Sequence, residues 1–134
     1  MQVTKDLQTY ITAELGDAAL YIALSKIAPT EMAKKLLLEF SADEKSHADM
    51  FNKIYSQITG KKFEPTIPPI VLSGTYCDIL KDRILDESGD YRKYDRHFVS
   101  TNKNMSALRW TYYLAKTDEN VHAIRLMYLL NEDC

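Results

Sequence analysis

At 134 residues and a formal net charge of −2, the chain is long enough for a hydrophobic core of its own and is expected to form one domain over residues 1–134. Its lysines and arginines are spread along the chain rather than gathered into a basic stripe, which argues against nucleic acid as a partner. No apolar stretch approaches the length of a membrane-spanning helix and the first residues do not resemble a signal peptide, so a cytoplasmic protein without membrane contact is expected.

The prolines indicate where the first two helices end. A first helix is predicted over about residues 4–27, because Pro29 follows it directly. Thr30 is a suitable N-cap for a second helix, which runs to about Ile58 and stops before Gly60. The short connection between these two helices makes them a hairpin.

The second half of the chain repeats this arrangement after a crossover. Residues 60–74 contain three prolines and are predicted to be extended. Thr75, with Asp78 in the reciprocal capping position, begins a third helix that reaches about Val99. A fourth helix is predicted over about residues 104–130, after a short polar loop. The predicted fold is therefore all-α, a four-helix bundle of two helical hairpins joined by a long crossover.

The chain contains two cysteines, Cys77 and Cys134. They form neither a Cys-x-x-Cys pair nor the framework of several disulfides that small secreted domains use. Both are therefore predicted to be free thiols in a reducing compartment.

One hexapeptide motif, Asp-Glu-x-x-His-Ala, occurs twice, once in the second predicted helix and once in the fourth. Residues three apart on a helix share a face and lie about one turn from each other. Glu44 with His47, and Glu119 with His122, therefore have the spacing of paired metal ligands. The chain has three histidines, and two of them stand in this motif.

Each of the other two helices carries one glutamate on its predicted apolar face, Glu14 in the first and Glu87 in the third. A carboxylate buried without a compensating charge is strongly unfavourable, so four glutamates that face one core require a cation. No lysine or arginine is expected on these four faces. The cation is therefore predicted to be a metal.

This pattern resembles the ferritin-like di-iron carboxylate family, and within it the bundle domain of rubrerythrin. Proteins of that family place one glutamate on each of two helices and Glu-x-x-His on each of the other two. The matching residues, predicted here as metal ligands, are Glu14, Glu44, His47, Glu87, Glu119 and His122. The resemblance implies a pair of iron ions bridged by Glu44 and Glu119, with manganese or a mixed pair as alternatives.

The resemblance also implies roles for residues close to the ligands. Asp90 is a candidate additional ligand one turn after Glu87, although aspartate is one methylene shorter than the glutamate usual there and follows Gly89, which is unfavourable in a helix. Tyr21 and Tyr94 stand two turns after the lone glutamates, where they either lie near the metals or pack in the core.

Three further polar residues are interpreted from their positions. Asp43 and Asp118 directly precede the predicted bridging glutamates, and each either accepts a hydrogen bond from a ligand histidine or is an exposed carboxylate. His97 has no glutamate three residues before it and is predicted to be a surface or packing residue.

The resemblance implies a peroxidase that reduces hydrogen peroxide to water. The electrons would come from an external donor, such as a rubredoxin-like protein, because the chain lacks the Cys-x-x-Cys pairs of a rubredoxin domain. Oxidation of iron by dioxygen for storage, a manganese catalase-like activity and a non-catalytic bundle are the alternatives. Storage is disfavoured because the chain lacks the fifth short helix common in cage-forming ferritins. A homodimer is expected.

Overall fold

The computed structural model describes residues 1–134, which form four long helices and no strand. The helices are α1 (Gln2–Ser25), α2 (Glu31–Thr59), α3 (Tyr76–Ser100) and α4 (Ser106–Asp133). The predicted all-α four-helix bundle is confirmed. None of these helices is both long and apolar enough to cross a lipid bilayer. The cytoplasmic location stays a prediction.

The helix ends follow the capping signals of the sequence. The Thr30 side chain accepts a hydrogen bond from the backbone N–H of Ala33. Thr75 and Asp78 form the reciprocal capping box at the start of α3. Gly60 ends α2 with a φ of 85°, a conformation that a residue without a Cβ adopts without strain. The predicted end of α4 is too early, because the helix continues through three polar residues to Asp133.

The crossover between the hairpins fits the length of the helix it runs beside. α2 contains 29 residues and is therefore about 43 Å long. Residues 60–75, when extended, reach about 50 Å, which is enough to return the chain to the opposite end of the bundle. The Asn52 side chain holds the crossover at Phe63 through two hydrogen bonds with the Phe63 backbone, of 2.7 and 2.9 Å. α2 and α3 consequently start at the same end of the bundle.

Two apolar clusters fill the two ends of the bundle. One lies at the start of α1 and α4 and includes Leu7, Phe51 and Tyr112. The other lies at the start of α2 and α3 and includes Leu37 and Leu126. The four glutamates predicted as ligands occupy the level between these clusters, where each helix contributes one of them. The fold therefore places a polar layer inside an otherwise apolar core.

Cys77 and Cys134 form a disulfide, so the prediction of two free thiols is wrong. Because α3 and α4 are antiparallel, the first turn of α3 lies beside the end of α4, and the two cysteines meet there. The Tyr76 hydroxyl donates a 2.7 Å hydrogen bond to Asp133 at the same end. Because the two thiols are joined, the cysteines do not indicate a reducing compartment.

Candidate metal centre

The six residues predicted as ligands come together at the middle of the bundle. All six are at most 1% exposed. They form two overlapping groups in which one potential ligand atom per residue lies within 4.8 Å of the others. The groups are Glu14, Glu44, His47 and Glu119, and Glu44, Glu87, Glu119 and His122. Only Glu44 and Glu119 belong to both groups, which is the arrangement that two bridging carboxylates require.

The helices position this cluster through simple periodicity. Glu44 and His47 lie one turn apart on α2, as do Glu119 and His122 on α4, so both members of each pair face the bundle axis. Glu14 on α1 and Glu87 on α3 face the same level from the other two helices.

Several buried atoms of the cluster have no hydrogen-bond partner. They are both carboxylate oxygens of Glu44, both of Glu119, Oε2 of Glu87 and Nδ1 of His122. Unpartnered buried polar atoms are costly, and six at one point in a core are exceptional. Carboxylate oxygens and imidazole nitrogens are the donors that iron, manganese and zinc accept, so this donor set fits a pair of such ions.

Each histidine is held by an aspartate of the other hairpin. The distance from His47 Nε2 to Asp118 Oδ2 is 2.6 Å, and that from His122 Nε2 to Asp43 Oδ2 is 2.8 Å. Both Nδ1 atoms consequently point at the glutamates: His47 Nδ1 lies 3.1 Å from Glu14 Oε1. The two aspartates are half-exposed, and each nevertheless fixes the ring orientation of one histidine.

Two tyrosines bind the lone glutamates across the bundle. The Tyr21 hydroxyl on α1 donates a 2.5 Å hydrogen bond to Glu87 Oε1 on α3. The Tyr94 hydroxyl on α3 donates a 3.2 Å hydrogen bond to Glu14 Oε1 on α1. Both phenol groups are buried, and burial raises their pKa well above the ordinary value. They therefore remain protonated donors at neutral pH.

Asp90 lies outside both groups of potential ligands. Its Oδ1 pairs with Lys93 Nζ at 3.1 Å, and both side chains are partly exposed. His97 is also separate from the site: it packs flat on Tyr112 and hydrogen-bonds the Tyr10 hydroxyl. Its position agrees with the predicted packing role.

Two charged residues at the site, Arg83 and Asp17, were not predicted from the sequence. Arg83 is 6% exposed, so the expectation that the apolar faces carry no lysine or arginine is wrong. Its Nη2 lies 3.2 Å from both Glu87 Oε1 and Asp17 Oδ2. The signal was present in the spacing, since Arg83 stands four residues before Glu87 and Asp17 three after Glu14.

Protonation partly neutralises the cluster when metal is absent. Burial, reinforced by the charge of Glu14, raises the pKa of both Glu44 and Glu119 well above the ordinary value. Burial alone lowers the pKa of His47, but hydrogen bonds to Asp118 and Glu14 outweigh it and raise the pKa to about 10. Burial also lowers the pKa of His122, but its hydrogen bond to Asp43 and the nearby carboxylates of Glu44 and Glu87 outweigh it and raise the pKa to about 11. A metal ion that binds at this cluster would therefore compete with protons for the same atoms.

The metal-free protein should accordingly lose stability as the pH rises from 6 to 9. The folded state retains histidine protons that the unfolded chain releases near pH 6.5, so their contribution is complete below that pH and is lost as the pH rises towards 10. Burial raises the pKa of Asp17 to about 7, which acts in the same direction. We therefore expect the free energy of unfolding of the metal-free protein to fall progressively between pH 6 and pH 9.

Urea denaturation at pH 6 and pH 9 in the presence of a chelator measures this effect. Saturating divalent metal should remove it, because the metal displaces the same protons. A metal-free protein that becomes more stable over this interval would show that the histidines are neutral in the folded state.

Comparison with known proteins agrees with this geometry. The rubrerythrin family model matches residues 5–130, which is nearly the whole chain. Neither the curated proteins nor the solved structures that were compared contain a significant match. With the family model covering all four helices and the cluster at their centre, the chain belongs to the rubrerythrin family.

Proposed function

We propose that this protein holds two iron ions and reduces hydrogen peroxide to water with electrons from an external donor. The observation that carries the proposal is the buried set of four carboxylates and two imidazoles with unpartnered atoms facing one another. Six protein ligands leave coordination positions open on two ions, where a small oxidant can bind. A bound ferrous pair supplies the two electrons that, with two protons, convert hydrogen peroxide into two water molecules.

The protein groups prepare the site in three ways. Asp43 and Asp118 hold the histidines with Nδ1 towards the centre. Tyr21 and Tyr94 hold one oxygen of each lone glutamate. Apolar packing limits the entry of water, for example where the Phe40 ring lies 4.5 Å from the His122 ring. The site is therefore preorganised among buried side chains, which strengthens its electrostatic interactions.

The electron donor is proposed to be a separate, rubredoxin-like protein. The chain contains no Cys-x-x-Cys pair, and its two cysteines are joined in a disulfide at one end of the bundle. The proposed homodimer, like the donor, stays a prediction.

Anaerobic loading with ferrous iron, followed by mixing with either peroxide or dioxygen, tests the function. We expect about two irons per chain and oxidation that is faster with peroxide. Replacing Glu119 by Gln should slow this oxidation by more than about a hundredfold, because a shared ligand is lost. Glu39→Gln, on an exposed pair with Arg125, is the matched control and should leave the rate unchanged.

Other outcomes would assign the site differently. Faster oxidation by dioxygen would favour a ferroxidase, and many irons per chain in a large assembly would favour storage. Copurification of manganese with the protein, together with rapid disproportionation of peroxide, would favour a catalase. Failure to bind any of these metals would contradict every metal-dependent function.

A further inference from the structure

Arg83 introduces a difference between two halves of the site that are otherwise alike. Its Nη2 contacts Glu87 Oε1 at 3.2 Å, and its Nε donates a 3.2 Å hydrogen bond to the Tyr21 hydroxyl. Tyr21 itself donates to the same oxygen of Glu87. Two donors, one of them a buried guanidinium, therefore occupy Oε1 of Glu87.

The first hairpin has no counterpart of this cation. The residue four positions before Glu14 is Tyr10, whose hydroxyl is turned to His97. Glu14 Oε1 accepts hydrogen bonds from the Tyr94 hydroxyl and from His47 Nδ1. No lysine or arginine forms an ion pair with Glu14.

Lys93 is the other cation near a site tyrosine, and it does not fill this role. Its Nζ lies 4.6 Å from the centre of the Tyr94 ring and pairs with Asp90. It makes no ion pair with any of the six residues of the cluster and is about one third exposed, whereas Arg83 is nearly fully buried. Of the two cations, Arg83 alone contacts a glutamate of the cluster.

Two metal positions can be defined by their unshared residues. Glu14 and His47 define the Glu14 position, and Glu87 and His122 define the Glu87 position, while Glu44 and Glu119 belong to both. At the Glu87 position, Oε2 of Glu87 is buried without a partner and Oε1 is engaged. Glu87 is thereby prepared to ligate through Oε2 alone.

We propose that Arg83 makes the two positions unequal, so that the Glu87 position binds a divalent cation more weakly and fills second. This inference depends on the proposed two-metal function. A fixed positive charge beside a ligand repels an incoming dication in a buried, weakly screened environment. Asp17 pairs with Arg83 and reduces its net charge, but Oε1 of Glu87 stays engaged.

Anaerobic calorimetric titration of the metal-free full chain with Fe²⁺, repeated with Co²⁺, tests this inference. We expect two resolved binding steps, the second weaker by roughly tenfold or more. His122→Ala should remove the weaker step, and His47→Ala should remove the tighter one. These two variants assign each step to a position without measuring activity.

Substitution of Arg83 then tests the cause of the inequality. Arg83→Gln should tighten the second step at least about fivefold and leave the first unchanged. Lys93→Gln is the matched control and should change neither step. Because Arg83→Gln leaves the partly buried Asp17 without its partner, the double variant Asp17→Asn/Arg83→Gln is included, with circular dichroism to verify the fold.

Three results would overturn the inference. Two binding steps of equal affinity in the unmodified protein would overturn the inference and would leave the proposed two-metal function intact. A second step that weakens in both Arg83 variants would show that the guanidinium preorganises Glu87 instead of repelling metal. The absence of any binding would overturn this inference together with the proposed function.

Discussion

Binding of two divalent metal ions is expected to raise the melting temperature of the metal-free protein by about 25 °C. A ligand present at a thousand times its dissociation constant stabilises the folded state by about 4 kcal/mol per site, so two sites contribute about 8 kcal/mol. For a chain of this length, each kcal/mol corresponds to about 3 °C. The physical source is the cluster itself, whose unpartnered buried atoms acquire partners when metal binds. Differential scanning calorimetry with chelator and with saturating Fe²⁺ or Mn²⁺ measures the shift.

The double variant Glu44→Gln/Glu119→Gln is the informative control for this prediction. It removes both shared carboxylates while nearly conserving volume, so the gain from metal should disappear. Without metal, the variant should be roughly 1–3 kcal/mol more stable than the unmodified protein. The reason is that it no longer buries two carboxyl groups whose ionised forms are unfavourable in the core. A variant that is less stable without metal, combined with an unmodified protein that metal does not stabilise, would identify these glutamates as structural.

Removal of the disulfide is expected to have the second largest effect on stability. Cys77 and Cys134 are 57 residues apart in sequence, and a cross-link over such a loop restricts the unfolded chain by an amount worth about 4 kcal/mol in the chain-entropy model. The variant Cys77→Ser/Cys134→Ser should therefore melt about 10 °C lower than the oxidised protein. Calorimetry of the variant, and of the unmodified protein with and without a reductant, measures this difference.

The neighbouring hydrogen bond supplies the control for the disulfide. Tyr76→Phe removes only the bond to Asp133 at the same end of the bundle and should lower stability by about 1 kcal/mol. Metal binding should be unaffected in both variants, because the apolar cluster that includes Leu37 and Leu126 separates this end from the site. Two free thiols per chain, found by mass spectrometry of the purified protein under non-reducing conditions, would contradict the pairing.

Local sequence signals were sufficient to predict the helices and most of the buried cluster of glutamates and histidines. Thr30, Gly60 and the Thr75–Asp78 box act within a few residues of where they stand, so they could be read directly. Likewise, Glu44 and His47 share a helix face because of the helical repeat alone. The family resemblance then related these motifs to Glu14 and Glu87 on the other two helices.

Contacts between segments that are distant in the sequence could not be predicted from local sequence patterns. Asp118 belongs to the motif of His122 but hydrogen-bonds His47, because the two Glu-x-x-His helices face each other across the bundle. Asp17 and Arg83 meet only when α1 and α3 are packed side by side. Such contacts depend on how two helices are rotated relative to each other, and the residue pattern of one helix does not specify that rotation.

The sequence by itself thus determined an all-α bundle with four glutamates and two histidines on its inward faces, because capping and periodicity are local properties of the chain. Tertiary structure alone decided that the two cysteines form a disulfide and that Asp43 and Asp118 each hydrogen-bond the histidine of the other hairpin. It also decided that one lone glutamate, Glu87, forms an ion pair with Arg83. Those three features depend on which helix ends and faces become neighbours, and packing of the whole bundle sets that arrangement.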